Sequence, residues 1–378
     1  MLDRLLASHP RAVLSGWVVA VFGAVLWSWA GGPLPWLLGP MVAYGLARGL
    51  GVPLREWGWG RALGQCVIGV GLGTRFTPEV VAGLAERWPW LLTLAVLALL
   101  PAPLGMWAYR RWGGLDRIGS WLCALPGGAS EMAVLAERHG VPAAPVALTQ
   151  GLRVALVVSL VPWSLLWLPG ELAPVGALRS APGGTVLAWQ AGLFTLAWAL
   201  LIAWPTAALH RRRWPNVWMM LPLLATAVLM SVLPAWTAHR PLGLALTVPA
   251  VALDAAQLLL GITLGSKLDA QAWRQAPRLT AVATGVVLTS VGLCGLVAWC
   301  AAAVLPGGPA PWLTHYLALA PGGMAEMALL ARQSGAFLPE VIATHVLRLM
   351  LVLALAPGLL RGVASRSPSG PLPPATPP

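Results

Sequence analysis

The sequence predicts an all-α integral membrane protein built from two inverted-topology repeats, with about ten transmembrane helices plus two Pro-Gly-Gly elements that are either re-entrant or broken helices. Three observations predict it. Of 378 residues, 58% are hydrophobic and only 10% charged, whereas a soluble chain carries about a quarter charged residues. Apolar stretches of about 20 residues recur from end to end, long enough to cross a hydrocarbon core. A block around Pro126-Gly127-Gly128 also returns as Pro321-Gly322-Gly323.

The repeat is read first, because it decides the architecture. Ala124-Leu-Pro-Gly-Gly-Ala-Ser-Glu-Met-Ala-Val-Leu-Ala-Glu-Arg-His-Gly140 matches Leu319-Ala-Pro-Gly-Gly-Met-Ala-Glu-Met-Ala-Leu-Leu-Ala-Arg-Gln-Ser-Gly335. Downstream, Thr149 and Arg153 align with Thr344 and Arg348. Upstream, Gln65-Cys-Val-Ile-Gly-Val-Gly-Leu-Gly-Thr-Arg75 aligns with Gln257-Leu-Leu-Leu-Gly-Ile-Thr-Leu-Gly-Ser-Lys267. The order is the same in both halves, which divides the chain into a first membrane repeat over 1–180, a second over 181–362 and a disordered Pro-rich tail over 363–378.

Spanning segments are expected near 13–30, 34–50, 59–75, 88–109, 145–168, 185–209, 215–235, 242–266, 279–304 and 339–360. The first, preceded by Arg4 and Arg11, is longer than a signal-peptide core and reads as an uncleaved helix. With the N-terminus in the cytoplasm, the loops around 48–61, 110–117, 210–213, 267–278 and 361–366 lie inside, and all are rich in Arg or Lys. The uncharged loops around 31–33 and 306–311 lie outside, as the positive-inside rule asks of a multi-pass protein in a bacterial inner membrane. Arg110, Arg111 and Arg117 precede the first Pro-Gly-Gly, and the uncharged Pro306–Pro311 precedes the second. That opposite bias is what inversion needs. If both elements crossed fully, His210–Arg213 would fall outside, so re-entrant hairpins are the favoured reading over crossing broken helices.

A Pro-Gly-Gly at membrane depth frees backbone groups that lipid cannot satisfy, so it belongs inside the protein or beside water. Two half-helices meeting there aim their ends at one point. The expected binding residues are therefore Gly127, Gly128, Ser130, Glu131 and Arg153 in one half, and Gly322, Gly323, Glu326 and Arg348 in the other, with Gln65 and Gln257 upstream. The bland alternative is a tight packing kink. Glu131 and Glu326, one turn past the break, either complement a helix N-terminus or carry a cation or proton. Arg153 and Arg348 either neutralise those glutamates as structural ion pairs or hold an anionic substrate. Asp254, alone in an apolar helix, is a third candidate coupling group beside Glu131 and Glu326. Gly69, Gly73, Gly261 and Gly265 read as close helix packing. The ends Thr74-Arg75 and Ser266-Lys267 either line an entrance or anchor their helices, and His345, in the place of Gln150, receives no role.

Several functions find no residues to carry them. The net charge of +12 sits in loop bursts without a DNA-binding module, so nucleic acid is not an expected partner. The six histidines lack paired spacing, and Cys66, Cys123, Cys294 and Cys300 lie in apolar segments as small hydrophobes. No metal site, cofactor or catalytic constellation is expected, and there is no P-loop. The partners are the bilayer, with 22 Trp residues read as interfacial belts, and an unidentified small solute or ion. The sequence fits a monomer or a homodimer equally.

The duplicated Leu/Ala-Pro-Gly-Gly-x-x-Glu-Met-Ala block and the Gln-x-x-x-Gly-x-x-x-Gly segments resemble the AbrB-type duplicated membrane-protein family, over roughly residues 10–362. Members carry the labels ammonia monooxygenase and regulator of gene expression. The resemblance thus implies an oxygenase or a regulator, but this sequence shows neither metal ligands nor a soluble DNA-binding module. The residues favour a secondary transporter, ion- or proton-coupled, over a membrane sensor that affects gene expression indirectly.

Overall fold

The computed structural model describes residues 10–127, 129–166, 187–212, 214, 216–237, 248–268, 270–304 and 311–364, and the regular elements among them are helices. In chain order these are α1 (Pro10–Trp29), α2 (Pro35–Gly49), α3 (Gly60–Gly73), α4 (Pro78–Glu86), α5 (Trp88–Leu97), α6 (Pro101–Arg111), α7 (Arg117–Ala124), α8 (Ala129–Arg138) and α9 (Ala143–Leu166). There follow α10 (Leu187–Arg211), α11 (Val217–Thr237), α12 (Ala250–Ser266), α13 (Ala270–Gln275), α14 (Pro277–Val304), α15 (Pro311–Leu319), α16 (Met324–Ser334) and α17 (Leu338–Ala364). Five stretches among the described residues are long and apolar enough to cross a bilayer: Ala12–Trp29, Trp88–Arg111, Ala143–Ser164, Pro277–Val304 and Leu338–Leu355. Val217–Val232 and Ala250–Ser266 are apolar but shorter. The expected spans at 34–50 and 59–75 are helices of only 15 and 14 residues, below the roughly 20 that a straight span needs.

Large apolar side chains cover the outside as well as the interior. Phe22, Leu14 and Val18 of α1 and Leu200, Leu201 and Trp204 of α10 are all exposed. A protein in water would hide such a surface, because contiguous exposed apolar area is unfavourable there; a hydrocarbon surrounding favours it. Of the four cysteines, three are buried as expected, while Cys300 lies on the exposed face of α14.

The centre of the fold is a set of four helices held by glycines. A side-chain carbon at Gly69 would come 2.7 Å from the Met219 carbonyl oxygen, and one at Gly73 2.7 Å from that of Leu223, so α3 lies directly on the backbone of α11. Gly261 and Gly265 bring α12 onto α2 in the same way, at 2.5 Å from the Leu37 oxygen and 2.7 Å from that of Met41. In both pairs the contacts advance together along the two helices, so each pair is parallel. Gly64 approaches Ala256 and Gly71 approaches Leu253 and Val248, so α3 and α12 run antiparallel to each other. The two matching Gln-x-x-x-Gly-x-x-x-Gly segments therefore point in opposite directions.

The helices they pack against match as well, which the sequence comparison above did not include. Leu34-Pro35-Trp36-Leu37-Leu38-Gly39-Pro40 opens α2, and Asn216-Val217-Trp218-Met219-Met220-Leu221-Pro222 opens α11. Leu34 and Asn216 stand in corresponding places, and both hold left-handed backbone, φ 46° and 48°; no other non-glycine residue among the described ones has positive φ. Side chains disfavour that region, so it is kept where the surrounding structure demands a sharp entry into a helix.

Each Pro-Gly-Gly element is a hairpin. α7 enters, the chain breaks at Leu125–Gly127, and α8 returns until Gly140, at φ 70°, ends it. Beyond that turn Val141 lies against Gly119 near the start of α7. In the second element α15 enters, α16 returns to Gly335 at φ 77°, and the Phe337 amide donates to Thr314 Oγ1 at 3.0 Å, near the start of α15. Both chains thus come back to the end where they went in.

Candidate functional site

The break in each hairpin leaves carbonyls at the end of the entering half-helix without amide partners, because the proline has no N–H and the chain turns away. A long helix alongside supplies the donors. From α9, Arg153 Nη1 donates to the Leu125 carbonyl at 2.9 Å and Nη2 to that of Gly127 at 2.9 Å. From α17, Arg348 Nη1 donates to the Ala320 carbonyl at 2.8 Å and Nη2 to that of Gly322 at 3.1 Å. The fork of a guanidinium suits two carbonyls of one broken turn, and a cation there also opposes the negative end of the helix dipole.

One helical turn earlier a second donor repeats the arrangement. Gln150 Nε2 donates to the carbonyls of Leu122, at 2.6 Å, and Leu125, at 3.0 Å. His345 takes that place in the second half, with Nε2 3.0 Å from the Leu317 carbonyl. Its Nδ1 accepts from Arg348 Nη2 at 2.9 Å, so the imidazole is neutral with its proton on Nε2. These contacts give His345 and Gln150 a role that the sequence reading left blank. Among the described residues both guanidinium ends bond backbone oxygen, and Arg348 pairs with these carbonyls and His345 rather than with Glu326.

The two hairpin tips open on one cavity of about 130 Å³. Pro126 and Gly127 line it from one tip, Gly322, Gly323 and Glu326 from the other, and Arg153 and Arg348 from behind. Gln65 completes the expected residues on its wall and donates to Asn216 Oδ1 at 3.2 Å. Glu326 lies in the first turn of α16, is almost wholly buried, and folds its carboxylate back towards the Gly323 backbone that starts the helix. Its electrostatic neighbours are Arg61 and Lys267, which also line the cavity. Arg61 opens α3 and Lys267 closes α12, so the antiparallel packing of these helices brings both cations to one end.

Other expected residues stand elsewhere. Gln257 is buried on α12 away from the cavity wall, and its Oε1 has no hydrogen-bond partner among the described residues. Where Gln65 meets Asn216, the corresponding residue in the other half is the apolar Leu34. Asp254, near the start of α12, is at the opposite end from Lys267, within electrostatic reach of Arg332 rather than of Glu326. Glu131 and Ser130 fall in the first turn of α8; their side chains, and Gly128 entirely, lie outside the described residues. Arg61 and Asn216 were not anticipated, since neither stands in a block that repeats its residue type.

A buried contact between His315 and Glu340 sits behind the second hairpin. His315 Nε2 of α15 is 3.3 Å from Glu340 Oε1 of α17, and Trp90 packs edge-on to the ring. The first half has Ser120 and Pro145 at the corresponding places, so this pair belongs to the second half alone.

The chain is similar in sequence to known proteins over most of its length. A Bacillus subtilis (strain 168) protein, "Uncharacterized protein YhjN", is 29% identical over 310 residues, covering 81% of this chain and 78% of the relative. An Escherichia coli (strain K12) protein, "Putative regulator AbrB", is 26% identical over 346 residues, covering 89% of this chain and 92% of the relative. The family model described as "Transition state regulatory protein AbrB" matches residues 36–364, nearly the whole described length, and the chain belongs to the AbrB family.

Proposed function

We propose that this protein is a secondary transporter of a small polar solute or ion in the bacterial inner membrane. In this reading the N-terminus is cytoplasmic, and residues 1–180 and 181–362 form two inverted repeats around one midplane site. The observation that carries it is the single cavity on which both hairpin tips open, bounded by helices that run in opposite directions. Discontinuous half-helices meeting at the midplane of an inverted pair are a recurrent way to build a site reachable from either side in turn. A carboxylate at that site, Glu326, with Glu131 in the other half, couples the solute to a proton or ion. No catalytic step and no nucleic-acid contact enter the reading, and the unit is a monomer or a homodimer.

The test is flux. Proteoliposomes on a solid-supported membrane are challenged with jumps of small carboxylates, phosphate, amino acids and ammonium, and transient currents are recorded. At least one solute should give a saturable current that Glu131→Gln/Glu326→Gln removes while the variant remains folded and inserted. A current unchanged in that double variant would sink the site.

The printed names of the family model and of the Escherichia coli relative favour a second reading, a membrane sensor that acts on gene expression through another protein. It predicts ligand-dependent stabilisation without current, together with a partner trapped by crosslinking in membranes.

A further inference from the structure

We infer that the solute of this cavity is a small oxyanion, a carboxylate or an inorganic anion such as phosphate. This rests on the transporter reading for its context but on separate observations for its chemistry.

Four cationic side chains, Arg61, Arg153, Lys267 and Arg348, line one cavity of about 130 Å³ with one described carboxylate, Glu326. Arg153 and Arg348 pair with no carboxylate among the described residues, so these two charges stand uncompensated there. The carbonyls that Arg153 and Arg348 bridge are neutral, so they fix the position of both charges without cancelling them. Glu56 does not restore the balance. It accepts from Ser266 Oγ at 2.9 Å outside the cavity wall, and Arg48 donates to the carbonyl of that same serine.

A net positive charge enclosed among apolar helices is strongly unfavourable unless a counter-charge joins it. Donors as well as charge are available. Arg153 and Arg348, on the cavity wall, carry more guanidinium N–H groups than their carbonyl bonds use. Gln65 adds an amide on the same wall. An oxygen acceptor with negative charge suits these groups, whereas a cation or an ammonium ion is repelled by them. The cavity is close in size to the roughly 150 Å³ cavity that admits benzene, which suits a solute of a few heavy atoms. Glu326, whose electrostatic neighbours are Arg61 and Lys267, competes with that solute for them.

Thermal unfolding of the full chain in nanodiscs of zwitterionic lipid tests this, with sodium phosphate, sulfate, acetate and succinate compared at constant ionic strength with sodium chloride, ammonium chloride and urea. At least one oxyanion should raise the Tm by several degrees with saturation. Arg61→Gln/Lys267→Gln should weaken its apparent Kd at least tenfold, and Glu326→Gln should tighten it. Stabilisation by ammonium or urea alone, by no oxyanion, or by an oxyanion equally in the Arg61→Gln/Lys267→Gln variant overturns the inference. In a parallel arm, phosphatidylglycerol is added without free anion. If it stabilises the wild type and abolishes the response to free oxyanion, the site holds a lipid headgroup and the solute assignment falls. Oxyanion binding without current would retain the ligand class and sink the transporter, while a current carried by ammonium would do the reverse.

Discussion

Arg348 stands 2.9 Å from Nδ1 of His345, and one guanidinium thereby holds both an imidazole and two carbonyls of a broken helix. The imidazole passes the support on to the Leu317 carbonyl through its other nitrogen. In the first half an amide, Gln150, makes the comparable carbonyl contacts. Two different chemistries thus serve the same backbone need.

His345→Gln should therefore be mild, within about 1 kcal/mol, because glutamine already performs this task in the other half. His345→Ala leaves a buried carbonyl without a donor and should cost about 1–3 kcal/mol. Thermal unfolding of purified protein in detergent separates the two; equal losses would argue against the donor role.

Lysine cannot replace the arginine fork. Arg348→Lys retains the charge but reaches one carbonyl where two were bridged, and the lost charge-assisted bond is worth about 2 kcal/mol. Arg153→Lys should behave alike, since its two bonds have the same pattern. A Tm unchanged in both variants would mean that these bonds do not hold the hairpins.

The glycine seams give a contrast within one protein. Gly69→Ala and Gly265→Ala place a carbon 2.7 Å from a backbone oxygen of the neighbouring helix, and each should destabilise by about 1–3 kcal/mol. Gly285→Ala meets nothing within 4 Å and should stay within about 0.5 kcal/mol of the parent. Indistinguishable effects at the three positions would contradict the direct backbone packing.

Removing one member of the buried pair His315 and Glu340 leaves the other polar group buried without its partner. His315→Leu should cost about 1–3 kcal/mol, and His315→Leu/Glu340→Leu should recover most of that loss. A double-mutant cycle measures the coupling; additive losses would show that the pair contributes no interaction of its own.

Much of this arrangement was legible in the residues themselves. Pro126 and Pro321 end their half-helices because proline lacks an amide hydrogen, and Gly140 and Gly335 end the returning halves because glycine tolerates positive φ. The glycine spacing in α3 and α12 announced close packing before any partner was known. Such features are local: each follows from the residue and its immediate neighbours.

The partners were not local and could not be read that way. Arg153 read by charge alone as a partner for a carboxylate or an anion; its carbonyl contacts were not legible, because they exist only where α9 runs beside the end of α7 and presents the guanidinium to a broken turn. Arg61 and Lys267 come together only because α3 and α12 run antiparallel, and His315 and Glu340 only because the second hairpin folds back. The sequence by itself determined the apolar helical character, the duplicated blocks and the places where helices break. Only the tertiary structure decided which charges share a cavity, since that depends on the direction in which distant helices pass one another.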